Sequence, residues 1–87
     1  MPRVFIPPLL KPLTGGVDVV EMSARSVREV VEKLERQFPG VRERLIEDGD
    51  LKPGLTIAVD GNVSAVGLLQ RIGENSEVHF LPAIGGG

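Results

Sequence analysis

The sequence contains no cysteine, no tryptophan, no tyrosine and a single histidine among its 87 residues. Without cysteine there is no disulfide, no thiolate nucleophile and no thiolate metal site, and one imidazole cannot build a histidine metal cluster. No catalytic side chain and no metal site are therefore expected. Nor is there an excess of positive charge. The 10 basic and 12 acidic residues leave a formal net charge of -2, with no basic stripe to neutralise phosphates, so nucleic acid is not expected as a partner. No apolar run approaches the roughly 20 residues of a membrane-spanning helix. The opening segment holds Pro2, Pro7 and Pro8 and no signal-peptide pattern, which predicts a cytoplasmic protein without a membrane partner.

What is present is the material of one small domain. A chain this short buries only about 60 to 65% of the surface that it exposes when unfolded. With 41% hydrophobic residues and three phenylalanines, the core has to be built mainly from Val, Ile and Leu, which suffices for two packed layers.

Arg3-Val4-Phe5-Ile6 reads as a strand halted by Pro7-Pro8, since prolines lack the N–H groups a sheet ladder needs. Residues 9–16 read as a loop ending in the turn Thr14-Gly15-Gly16, and residues 17–22 resume an extended pattern, so the two strands form a hairpin. Gly15-Gly16 lacks the downstream Lys-Ser/Thr of a phosphate loop and is a turn. Ser26-Val27-Arg28-Glu29 has capping-box spacing and predicts a helix start. Val27, Val30, Val31, Leu34 and Phe38 then form one apolar stripe at helical period. Arg28, Glu29, Glu32, Lys33, Glu35 and Arg36 occupy the solvated side, with Glu29–Lys33 and Glu32–Arg36 at the i, i+4 spacing of ion pairs. Pro39-Gly40 ends the helix, and residues 41–46 predict one further turn.

Leu55-Thr56-Ile57-Ala58-Val59 is a strand, followed by the tight-turn residues Asp60-Gly61-Asn62 and a return near Val63. Glu77-Val78-His79-Phe80-Leu81 forms the last strand, entered from the turn at residues 73–76 and closed by Pro82. The order is ββαββ, which predicts an α+β domain with a mixed four- to five-stranded sheet and one main helix across one face. Alternation turns Val4, Ile6, Val20, Met22, Ile57, Val59, Val78 and Phe80 toward the helix. Phe5, Val19, His79 and Leu81 lie on the open face, where Phe5, His79, Leu81 and Pro82 form a candidate partner-docking surface. Taken alone, His79 reads as a structural or exposed residue, and Arg3, Lys11, Arg25 and Arg71 as ordinary surface charges.

The chain ends Pro82-Ala83-Ile84-Gly85-Gly86-Gly87 directly after a strand. At a usual glycine frequency of about 7%, three terminal glycines arise by chance in roughly 3 of 10,000 chains. Glycine has no Cβ, so such a tail is slender enough to thread a narrow channel and present a terminal carboxylate inside another protein. The expected division is a domain over residues 1–82 and a flexible glycine-rich tail over residues 83–87.

A β-grasp (ubiquitin-like) order ending in a strand, Pro82, a small apolar spacer and Gly86-Gly87 resembles the MoaD/ThiS-type sulfur-carrier family over nearly the whole chain. The stretches at residues 6–16 and 81–84 are most similar to the carriers of cysteine biosynthesis (CysO type). The resemblance departs at Gly85, where the family usually places a residue such as alanine. It implies that the Gly87 carboxylate is adenylated by an E1-like adenylyltransferase/sulfurtransferase using ATP and becomes a thiocarboxylate, with Gly85 and Gly86 threading the partner's active site. It also implies a sulfur-accepting synthase, in the cysteine pathway a PLP-dependent one, and a JAMM-type metalloprotease that releases the product. Molybdopterin- and thiamine-type destinations share the same tail chemistry. The chain itself then binds no cofactor and is a protein cosubstrate, not an enzyme. Two other uses of the same scaffold stay open: a ubiquitin-like modifier joined through Gly87 to lysines, and a non-covalent interaction module.

Overall fold

The structure, a computed structural model, describes residues 1–82. The elements in chain order are β1 (Arg3–Phe5), a 3-10 turn (Pro8–Leu10), α1 (Lys11–Thr14), β2 (Val19–Glu21), α2 (Val27–Gln37), α3 (Val41–Leu45), β3 (Ile46–Glu47), β4 (Asp50–Leu51), β5 (Leu55–Val59), β6 (Asn62–Val63), a 3-10 turn (Gly67–Leu69) and β7 (Glu77–Pro82). The main sheet is mixed and five-stranded, in the order β2-β1-β7-β5-β6. The last strand is thus the central one, parallel to β1 and antiparallel to β5.

The helix α2 explains why the sheet has an inside. Its Val27, Val30, Val31 and Leu34 are buried, as the stripe predicts, and Phe38 packs partly buried at its end. Against them lie Val4, Ile6, Val20, Met22, Ile57, Val59, Val78 and Phe80, all eight of the side chains assigned inward by alternation and all buried. The resulting α+β arrangement, one main helix across one face of a mixed sheet, is the β-grasp architecture.

The helix start uses both residues of its capping signal, with one shift. Ser26 Oγ accepts from the Glu29 N–H at 3.3 Å, but the Glu29 carboxylate accepts from the Arg25 N–H at 2.7 Å, one residue before the N-cap. Lys33 donates to the Ser23 carbonyl. The expected Glu29–Lys33 ion pair is therefore replaced by two contacts to backbone, and among the described residues Glu32–Arg36 is likewise not an ion pair. Glu35, expected on the solvated side, reaches past the helix end: its carboxylate accepts from the Gly40 N–H at 3.2 Å and the Arg42 N–H at 2.9 Å. It thereby holds the start of α3 against α2, across a Gly40 whose φ of 106° only glycine adopts readily.

Three local expectations need correction. Residues 9–14 are not a loop but the end of a 3-10 turn followed by α1, and only Gly15-Gly16 keep the expected turn. Pro8 and Pro12 sit in the first turns of these two elements, where a missing N–H costs nothing, and the fully buried Leu10 ties the segment to the core. Secondly, a small antiparallel hairpin, β3-β4, adds to the ββαββ order. It turns on Asp48 and Gly49, both at positive φ (53° and 79°), the pattern that suits a two-residue hairpin. Pro82, finally, does not stand beyond the last strand; it is the final residue of β7, paired with Leu55.

Candidate docking face and chain exit

The open face of the sheet is organised by register. Cross-strand partners Val19↔Phe5, Phe5↔His79, His79↔Ala58 and Ala58↔Val63 run as one row across all five strands. Because the sheet alternates, this row faces away from α2. Its centre is a ring stack: the Phe5 and His79 centroids lie 4.2 Å apart with planes 7° from parallel.

A charged row runs beside it. Arg3 pairs across the sheet with Glu21 on one side and Glu77 on the other. The Arg3 guanidinium meets the Glu77 carboxylate at 2.7 Å, and its carbon lies 6.0 Å from the Phe5 ring centre, the outer limit of a cation–π contact. Glu77 also lies 4.0 Å from His79 Nε2. One carboxylate thus faces both the guanidinium and the imidazole, at the seam between the charged row and the apolar one.

The opposite flank leads to the chain exit. Leu81 is paired with Thr56 and Pro82 with Leu55. Thr56, Val63, Leu81 and Pro82 line a groove of about 250 Å³, in which the threonine hydroxyl is the sole side-chain polar group. Val63 is 66% exposed and Leu81 37%, so this apolar surface is open to a partner.

The structure brings Phe5, His79 and Leu81 onto one face, as alternation predicts, and sets Pro82 at its edge. Val19 joins them, while Thr56, Ala58 and Val63 are the members that sequence reading missed. The signal was available in the Asp60-Gly61 turn: both residues have positive φ (52° and 85°), which fixes the β5-β6 register and so places Val63 opposite Ala58. Gly85, Gly86 and Gly87, and with them the proposed reactive carboxylate and the tail at residues 83–87, lie outside the described residues. Among the described residues there is no group of three His, Asp or Glu side chains placed to hold a metal ion, and no helix is long and apolar enough to cross a membrane.

The turn that launches β7 is also pinned. Asp60 accepts from Ser76 Oγ at 3.0 Å and from the Glu77 N–H at 2.9 Å, while Ser76 Oγ accepts from the Gly73 N–H at 2.8 Å. Ser76, buried just before β7, and Glu77, the first residue of that strand, are thus both held by Asp60.

Residues 4–87 match the family model described as ThiS family. The sulfur carrier protein CysO of Mycobacterium tuberculosis is 36% identical over an 89-residue alignment that covers 97% of this chain and 96% of the relative. The small archaeal modifier protein 3 of Haloferax volcanii is 31% identical over 64 residues, covering 71% of this chain and 70% of the relative. Among solved structures, the Amycolatopsis orientalis BexX/CysO complex contains a chain that superposes with a TM-score of 0.88 at 27% identity, each chain covered in full.

Proposed function

From the premise that the chain belongs to the ThiS family, we propose that it is a sulfur carrier whose working group is the carboxylate of Gly87. The observation that carries this reading is the placement of β7. The last strand is central in the sheet, and its final residue, Pro82, borders an exposed apolar face. The five residues beyond it reach at most about 18 Å. A domain docked by its open face therefore holds the chain end within one short arm's length of the enzyme that grips it.

The chemistry then belongs to the partners. An E1-like enzyme transfers AMP from ATP to the Gly87 carboxylate and releases pyrophosphate. Hydrosulfide from a sulfur donor attacks the acyl carbon, AMP leaves, and the product is a thiocarboxylate, with one proton released. This chain contributes the arm and the address. Residues 83–87 supply an end in which Gly85 and Gly86 have no Cβ to block a channel. Residues 1–82 supply the surface of Phe5, His79, Leu81 and Pro82 that a partner recognises. The likeness to CysO favours the cysteine-type destination, with a PLP-dependent synthase as acceptor and a JAMM-type metalloprotease releasing the product. A CysO chain solved in complex with BexX supports a protein partner for this one.

The test is intact-mass analysis of the 87-residue chain after incubation with its activating enzyme, ATP and sulfide. The expected result is the mass gain of one oxygen replaced by sulfur, absent from a chain lacking Gly86 and Gly87. An unchanged mass while the enzyme releases pyrophosphate with this chain would show activation without sulfur transfer and would defeat the carrier reading. Isopeptide-linked remnants on lysines in place of a thiocarboxylate would establish a modifier instead.

A further inference from the structure

The outer edge of β2 is a short open ladder, closed at both ends by side chains. Register fixes which backbone groups it offers. The Ile6 N–H donates to the Asp18 carbonyl at 2.8 Å and the Met22 N–H to the Pro2 carbonyl at 3.1 Å, so Asp18, Val20 and Met22 turn their backbone groups toward β1. Antiparallel alternation then turns those of Val19 and Glu21 outward, where β2 has no neighbouring strand among the described residues. Before them, the Val17 N–H donates to the Thr14 carbonyl at 3.4 Å and the Val17 carbonyl accepts from Thr14 Oγ1 at 3.2 Å. After them, the Ser23 carbonyl accepts from Lys33. The N–H and C=O groups of Val19 and Glu21 remain, which is room for one short added strand.

The side chains of this edge say what such a strand carries. Val19, 39% exposed, ends the apolar row that includes Phe5 and His79. Glu21 ends the charged row, in which the Arg3 guanidinium is taken by Glu77 at 2.7 Å. Among the described residues Glu21 is in no ion pair. From Glu77 through Arg3 to Glu21 the row reads minus, plus, minus, so a cation is the group that continues it. A second copy of the chain fits poorly. Pairing β2 with β2 about Val20 sets each Glu21 opposite a Val19, brings the two carboxylates to diagonal positions and leaves both uncompensated.

We propose that the edge of β2 binds an extended protein segment of the form basic-x-aliphatic, added antiparallel to Val19–Glu21 as a sixth strand of the main sheet. Its basic residue lies opposite Glu21 and its aliphatic residue opposite Val19, and one residue opposite each satisfies both the N–H and the C=O that point outward. The hydrogen bonds supply affinity. The Glu21 carboxylate supplies selection, against acidic segments and against self-pairing. Because β1 lies between β2 and β7, an added strand leaves β7 and the groove at Pro82 uncovered. The site rests on a backbone edge and one carboxylate and does not depend on the sulfur chemistry.

Amide NMR of the 87-residue protein, titrated with the end-blocked peptide Ser-Thr-Lys-Thr-Ile-Thr-Ser, tests it. The Val19 and Glu21 amides are expected to shift most and to exchange more slowly with solvent, while those of the core residues Val30 and Leu34 stay in place. Glu21→Lys should weaken this peptide about fivefold, and the same peptide with Glu in place of its Lys should bind that variant about fivefold more tightly than it binds the unaltered chain. Glu21 is exposed, and unmoved Val30 and Leu34 amides verify that the variant is folded. Largest shifts at Phe5, His79 or Leu81, equal affinity of the unaltered chain for the two peptides, or no shift at any peptide concentration would each overturn the proposal. So would shifts of Val19 and Glu21 that grow with protein concentration alone, since the edge would then take a second copy. Thiocarboxylate formation, read by mass on the same sample, is independent of every one of these outcomes.

Discussion

Phe5 on β1 and His79 on β7 stack ring on ring, 4.2 Å between centroids, across the parallel seam that joins the start of the chain to its last strand. The stack does two things at once. It contributes to holding β1 beside β7, and it presents a flat, partly exposed surface at the centre of the open face. Stacked aromatic pairs are worth about 0.5 to 1.5 kcal/mol beyond the area they bury. A double-mutant cycle with Phe5→Ala and His79→Ala should therefore give a coupling of about 1 kcal/mol in urea unfolding, with m unchanged. A coupling near zero would mean that the two rings are merely adjacent.

Asp60 combines a strained backbone with a double acceptor. Its φ of 52° suits glycine or asparagine better than alanine, and its carboxylate holds Ser76 and the Glu77 N–H. Asp60→Ala loses both features and should cost about 2 kcal/mol of stability. Asp60→Asn keeps the tolerance for positive φ and one acceptor oxygen and should cost about half as much. Chemical denaturation of the two variants checks the order, and equal costs would contradict it.

Glu35 is placed to hold two helices together through backbone amides. Removing it in Glu35→Ala leaves the Gly40 and Arg42 N–H groups without their acceptor and should cost about 1 to 2 kcal/mol. Hydrogen exchange at these two amides should accelerate more than exchange at Val30 or Leu34. If all amides accelerate equally, the effect is global and the local clamp is refuted.

Leu34 is fully buried between α2 and the sheet. Leu34→Ala should destabilise by about 2 to 5 kcal/mol, the cost of lost burial plus a cavity. In a chain of this size that is a large share of the total, so thermal unfolding should show a markedly lower midpoint or a chain unfolded at room temperature.

A change at the chain end should do the reverse. Gly86→Val adds a branched side chain where the proposed carrier function calls for a slender backbone, so it should leave the unfolding midpoint unaltered and abolish thiocarboxylate loading. Loading at the unmodified rate would mean that no narrow channel encloses this residue.

Much of the fold was legible because its signals are local. The stripe from Val27 to Leu34 follows the helical period, and the eight inward residues of the sheet follow the period of two; both survive because burial in one layer demands them. The Ser26 cap and the Asp60-Gly61 turn are equally local. Residues 9–16 misled because prolines and glycines read as loop punctuation, whereas Pro8 and Pro12 at first-turn positions start short helical turns that bury Leu10. The β3-β4 hairpin was missed because strands of two residues carry too little alternation to register, although Asp48-Gly49 marked their turn. Helical spacing places Glu29, Lys33 and Glu35 among the solvated helix charges, since nothing in it reveals a backbone amide or carbonyl that arrives from outside the helix.

By itself, then, the sequence determined the elements, their buried faces and the chemistry available: no thiol, one imidazole, and a glycine-rich end. Those are properties of neighbours in the chain, set by period, turn residues and composition. Only the tertiary structure decided that β7 lies between β1 and β5, that Phe5 meets His79 and Arg3 meets Glu77, and that Val63 and Leu81 border one groove at the exit. Such pairings join residues far apart along the chain, and their register follows from burying one shared core beneath α2, a condition that no local segment can express.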